Sequence, residues 1–67
     1  MDMTQIKENI STLHFQTEAT IKSLEEKLKN LPHTPAAESI AASILKDINF
    51  FKGKSVAYLE IYHSFQT

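Results

Sequence analysis

The chain contains no cysteine and no arginine, and it has a single glycine. Without cysteine it can form neither a disulfide framework nor a thiolate metal site. Cysteine usage therefore does not distinguish a reducing from an oxidising compartment. One glycine is too few for the glycine-rich loop that cradles phosphates in nucleotide-binding proteins. The longest apolar runs are two to four residues, far short of the roughly 20 that a transmembrane helix needs. We therefore expect no nucleotide cofactor and no membrane association.

Neither positive nor negative charge dominates, because the chain has seven lysines and eight acidic residues and a net charge of −1. Nucleic-acid-binding proteins concentrate basic residues on one face and favour arginine for bidentate contacts. Here Lys22 follows Glu18 by four residues, a spacing typical of a solvated helix face. The exception is a possible basic patch formed by Lys46, Lys52 and Lys54. We expect protein rather than nucleic-acid partners.

The length of 67 residues allows one domain, residues 1–67, in a size range where a single core is marginal. The first residues, Met1 to Thr4, lack the basic and apolar regions of a secretory signal peptide. We therefore expect a cytoplasmic protein.

Apolar residues recur every three or four positions along both halves of the chain, which is the spacing of one helix face. The first stripe is Met3, Ile6, Ile10, Leu13, Thr17, Ile21, Leu24, Leu28 and Leu31. The second stripe is Ala37, Ile40, Ile44, Ile48, Phe51, Ser55, Tyr58, Tyr62 and Phe65. Between them Pro32 disfavours helix at Leu31, while Thr34 and Pro35 supply an N-cap and a first helical residue.

The pattern predicts an all-α, antiparallel two-helix hairpin with helices over about 3–31 and 35–66. Gly53 lies within the second stripe without changing its phase, so we expect the second helix to continue through it, straight or mildly bent.

The second helix carries more apolar residues than one partner helix can cover. Leu45, Val56 and Leu59 lie on one flank of its stripe, and Phe50, Ala57 and Ile61 lie on the other. Such surplus apolar surface is typical of an interface. We therefore predict that the hairpin dimerises into a four-helix bundle.

Five side chains are the strongest candidates for interface positions. On a wheel of 100° per residue, Phe15 falls about 180° from the first stripe, on an otherwise polar face. The aromatic cluster at the end of the second stripe combines large apolar bodies with polar tips, as interface hot spots do. The predicted interface residues are Phe15, Phe50, Ile61, Tyr62 and Phe65.

No residue pattern indicates catalysis, cofactor binding or metal binding. In a hairpin, about 45 Å separates the levels of His33 and His63 at the rise of an α-helix, so the histidines cannot converge within one chain. Glu60 and His63 form a lone Glu-x-x-His match, whereas di-metal bundles use two such motifs and two further glutamates. We therefore assign no catalytic, cofactor-binding or metal-binding residue.

These features favour a non-enzymatic interaction module, a homodimeric regulator or inhibitor that binds a larger protein. The alternatives are RNA binding by a dimeric helical bundle, presenting the lysine patch twice, and a structural subunit of a larger assembly. Salt-dependent affinity for RNA would favour the first alternative.

Overall fold

The computed structural model describes residues 2–65, which form two helices, α1 (Met3–Lys29) and α2 (Pro35–Ser64). The helices pack against each other in a rod of 51 × 16 × 14 Å. The Lys7 Nζ near the start of α1 lies 5.7 Å from the ring centroid of Tyr62, near the end of α2, so the helices are antiparallel. The predicted all-α hairpin is therefore confirmed. Within residues 2–65, neither helix combines the length and the apolar character needed to span a bilayer.

Side-chain caps define where both helices begin. Asp2 Oδ1 accepts a hydrogen bond of 2.9 Å from the backbone N–H of Gln5 at the start of α1. Thr34 Oγ1 accepts one of 3.3 Å from the N–H of Ala37, and Pro35 occupies the first position of α2. Both oxygens satisfy an N–H group that has no partner within the helix.

The helix ends differ from the prediction by one turn or less. α1 ends at Lys29 rather than near residue 31, because Leu31 precedes Pro32 and is pushed out of helical geometry. Asn30 caps α1, with its N–H bonded to Glu26 O at 3.1 Å. α2 ends at Ser64, and the predicted end at residue 66 lies outside the described residues.

Gly53 lies inside α2, which continues through it as expected from the phase of the stripe. Its φ is not positive, and a Cβ built on it would meet no atom within 4 Å. The helix geometry at this position therefore does not require glycine.

The interface between the two helices is thin and contains small residues. Buried residues in the described part of the chain are Thr17, Ile21, Ala37, Ile48 and Ser55, and none of the large side chains there is fully buried. The Thr17 hydroxyl donates a hydrogen bond of 2.7 Å to Leu13 O, which satisfies this polar group inside the contact. Small side chains at Thr17 and Ser55 let the helices approach closely while larger neighbours fill the remaining space.

Three residues of the predicted stripes do not lie in the helix–helix contact. Leu13 is 43% exposed and Ile40 is 52% exposed, and Met3 at the start of α1 is also exposed. His14 and Ala41 are half-buried in their place. On a helical wheel, His14 lies about 40° from the midline of the buried α1 residues, and Leu13 lies about 60° from it in the opposite sense. In α2, Ala41 lies about 40° from the corresponding midline and Ile40 about 60° from it in the opposite sense. The stripes were assigned by apolarity, whereas helix geometry decides which residue faces the partner.

Candidate interaction surface

Nine large hydrophobic side chains are exposed on the described part of the hairpin. The exposed ones in the described chain are Met3, Leu13, Phe15, Ile40, Leu45, Phe50, Val56, Leu59 and Ile61. The two right-handed helices face each other and run in opposite directions, so side chains rotated in the same sense from each contact line lie on one side of the hairpin. This rule divides most of the exposed side chains between two faces.

The first side, here called the Phe50 face, consists of Leu13, Ile40, Phe50 and Ile61. Leu13 and Ile40, the two residues displaced from the predicted stripes, both lie on this side. Phe50 is 59% exposed and packs edge-on against Phe51, with ring centroids 5.3 Å apart. The Lys54 Nζ lies 5.0 Å from the centroid of Phe50 and 5.9 Å from that of Phe51. At such distances the ammonium group is attracted to the ring faces.

The opposite side, here called the Val56 face, consists of Leu45, Val56 and Leu59. Polar and charged residues of α1 border it, among them Lys7 and Glu18. An open groove of about 210 Å³ lies along it, lined by Ser11, His14, Tyr58, Leu59 and Tyr62. This face therefore has an apolar centre on α2 and a polar edge on α1.

His14 is the polar group whose placement the sequence did not predict. Its Nε2 atom is buried without a hydrogen-bond partner and lies 3.7 Å from Glu18 Oε1, one turn further along α1. That separation is too long for a hydrogen bond. His14 lies about 40° from the midline of the buried α1 residues, and this position on the wheel is the sequence signal that indicates its partial burial.

The predicted interface residues do not form one patch. Phe50 and Ile61 share the Phe50 face, whereas Phe15, which is 74% exposed, lies on the outer side of α1. Tyr62 and Phe65 are half-buried near the open end of the hairpin. Tyr62 also lines an open groove of about 540 Å³ with Thr4, Lys7, Glu8, Ser11 and Thr12. The interface role of all five residues stays a prediction.

Five residues on these faces are not among the predicted interface positions, and they are Leu13, Ile40, Leu45, Val56 and Leu59. Leu13 and Ile40 were placed between the helices, and their angular offset from the stripes was the signal that could have found them. The sequence places Leu45, Val56 and Leu59 on one flank of the second stripe, and their exposure in the structure marks them as part of an accessible surface.

The possible basic patch is dispersed around α2. Lys46, Lys52 and Lys54 are exposed and point about 80 to 160° apart on a wheel of 100° per residue. Lys54 also leans over the two phenylalanine rings. A single copy therefore does not present the three ammonium groups to one straight stretch of nucleic-acid backbone.

Within residues 2–65, no three histidine or acidic side chains come together in a group that could hold a metal ion. Comparisons of the chain with protein-family models, with curated proteins and with solved structures gave no match.

Proposed function

We propose that the protein is a non-enzymatic interaction module, a homodimer that forms a four-helix bundle and regulates or inhibits a larger protein by binding it. Its surface area supports self-association most directly. The hairpin exposes 5198 Å². A folded monomer of its mass, 7.6 kDa, exposes about 4300 Å² according to the scaling for monomeric proteins. The excess of about 900 Å² is close to the roughly 800 Å² that each partner buries in a standard interface.

The thin contact between the helices supports the same proposal. Two helices alone cover only part of each other, and here five residues in the described chain are buried. In a four-helix bundle each helix packs against neighbours on two sides. A second hairpin would therefore cover one of the exposed apolar faces and turn the thin contact into a core.

Two separate faces would let the protein bind itself and a partner at the same time. Association through one face leaves the other face and Phe15 on the outside of the bundle. The Val56 face, with an apolar centre and a polar edge, has the composition common in non-obligate protein interfaces. Phe15 is a large exposed aromatic side chain, the residue type that anchors many such contacts.

Light scattering tests the homodimer. We expect the mass of a dimer from about 1 to 100 μM and at both low and high salt, because burial of apolar surface is weakly affected by ionic screening. A monomer at the highest concentration would contradict the proposal. Aggregation without a defined mass would favour the alternative of a subunit that needs other subunits of a larger assembly.

A pull-down with matched variants tests the binding of a larger protein. Val56→Asp places a carboxylate in the centre of the Val56 face, whereas Ser39→Asp adds the same charge on the outer side of α2. We expect a partner that the wild type and Ser39→Asp retain and that Val56→Asp loses. If both variants retain the partner protein, the Val56 face is not the binding surface.

RNA binding stays an alternative that the dispersed lysines do not favour. It is tested by measuring affinity for RNA at low and high salt. Binding through phosphates weakens steeply as salt rises, and such a result would replace the proposal.

A further inference from the structure

We infer that the second copy docks on the Phe50 face, with α2 of each subunit antiparallel to α2 of the other around a two-fold axis near Phe50. This inference rests on the proposed homodimer and deepens it by naming the occupant, the face and the orientation. It follows from the composition of the two sides of α1 and from the order of charges along α2.

The α1 residues beside the Phe50 face are suited to burial by a second copy. Within about 100° of its contact line on this side, α1 presents one charged residue, Lys27, and otherwise uncharged ones, which are Ile6, Asn9, Leu13, Thr17, Thr20 and Leu24. On the Val56 side the same range contains four charged residues, which are Lys7, Glu18, Glu25 and Lys29. The cores of interfaces are depleted in charge, because an ion removed from water must be compensated. The Phe50 face is therefore the side that a second hairpin can cover over both helices.

A heptad line runs along the Phe50 face of α2 and determines the orientation. Its residues are Ile40, Ser43, Asp47, Phe50, Lys54, Ala57 and Ile61. Isoleucine occupies both ends, phenylalanine lies near the centre, and charges of opposite sign flank the phenylalanine. The ends are 21 positions apart, about 31 Å at the rise of an α-helix.

An antiparallel arrangement makes this line complementary to itself. Ile40 then lies near Ile61 of the partner subunit, and Asp47 comes within reach of the partner's Lys54, so each dimer contains two such charge pairs. In a parallel arrangement Asp47 would face the partner's Asp47 and Lys54 the partner's Lys54. Like charges placed together disfavour an interface, so the sequence of the line selects the antiparallel form.

Both charges are available for such a contact. Asp47 and Lys54 are exposed. The ion pair found in residues 2–65, between His14 and Glu18, involves neither of them. Three and four residues from Asp47 on its own helix lie Ser43, Ile44, Phe50 and Phe51, which offer no positive charge. The Lys54 ammonium lies near the rings of Phe50, which belongs to this face, and of its neighbour Phe51.

A charge-reversal series tests the face and the orientation together, with the dissociation constant of the dimer measured by analytical ultracentrifugation. Asp47→Lys or Lys54→Asp alone places like charges opposite each other twice and should weaken the dimer about 10-fold, which corresponds to about 1.4 kcal/mol. The double variant restores opposite charges and should return to within about threefold of wild type. Glu60→Lys, an equal charge change on the outer side of α2, is the control and should leave the dimer unchanged.

Disulfide cross-linking tests the orientation independently, because the absence of native cysteine makes each introduced thiol unique. A mixture of Ile40→Cys and Ile61→Cys should form a mixed disulfide under mild oxidation. Neither variant alone should link to itself, since its thiols would be about 31 Å apart in the antiparallel dimer. Self-linking of both variants would show a parallel dimer and overturn the inference.

The outcomes separate this inference from the proposed function. A monomeric wild type would overturn both. A dimeric wild type that Val56→Asp dissociates and Phe50→Asp does not would leave the homodimer intact and overturn the choice of face. Circular dichroism of Phe50→Asp serves as the folding control, and the exposed Phe50 side chain should allow the helices to persist.

Discussion

Gly53→Ala should stabilise the protein, and the structure gives the expected magnitude. Gly53 lies in the interior of α2 with a negative φ and with open space where a Cβ would be added. Glycine in a helix interior is about 0.8 to 1.0 kcal/mol less favourable than alanine, because its unfolded chain has more conformational freedom to lose. With no clash to offset this gain, nearly all of it should appear in the free energy of unfolding.

Thermal unfolding followed by circular dichroism measures the effect. For a domain of this size, 1 kcal/mol corresponds to a shift in melting temperature of about 4 to 8 °C. The protein concentration must be equal in all samples, because the melting temperature of a dimer depends on it. Ala42→Gly, an exposed position on the same side of α2, is the matched control and should lower the melting temperature by a similar amount. An unchanged or lower melting temperature for Gly53→Ala would refute the reasoning and show that another chain approaches the backbone here.

Three further substitutions distinguish surface, core and cap. Phe15→Ala should leave helicity, melting and the mass of the dimer almost unchanged, because its small lost burial is offset by the helix propensity of alanine, while binding of a larger protein weakens. Unfolding would place Phe15 in the core. Ile48 is 4% exposed, so Ile48→Ala should lower the free energy of unfolding by about 2 to 5 kcal/mol and lower the urea midpoint. A smaller decrease would show that neighbouring side chains move to fill the cavity. Thr34→Ala should cost about 1 kcal/mol in urea unfolding by removing the cap of α2, whereas Thr34→Ser should stay near wild type.

The helices and their connection could be predicted from the sequence because their determinants are local. Pro32 and Pro35 restrict backbone angles directly, and Asp2 and Thr34 bind backbone groups three residues ahead. The continuity of α2 through Gly53 followed from the phase of its apolar residues. None of these features depends on what covers the hairpin.

The contact between the helices could be predicted only in part. Leu13 and His14 lie at similar angles on either side of the contact line, and so do Ile40 and Ala41. Apolarity favoured Leu13 and Ile40, but His14 and Ala41 are the residues that are half-buried. The burial of His14 beside Leu59 and two tyrosines is a tertiary effect that its own sequence neighbours do not indicate. The two flanks of α2 could be distinguished from the sequence, whereas the addition of Leu13 to the Phe50 face depends on the contact line of α1 that the structure shows.

In the proposed homodimer, the thin contact between α1 and α2 would make the resistance of the protein to proteolysis depend on its concentration. A hairpin without a second copy has only five buried residues in the described chain, so its free energy of local opening is small. Helices that open in this way are substrates for proteases. Association would raise the free energy of opening with each increase in concentration. Dilute chains would then be degraded faster than concentrated ones, and the protein would persist only above a threshold level of its own synthesis.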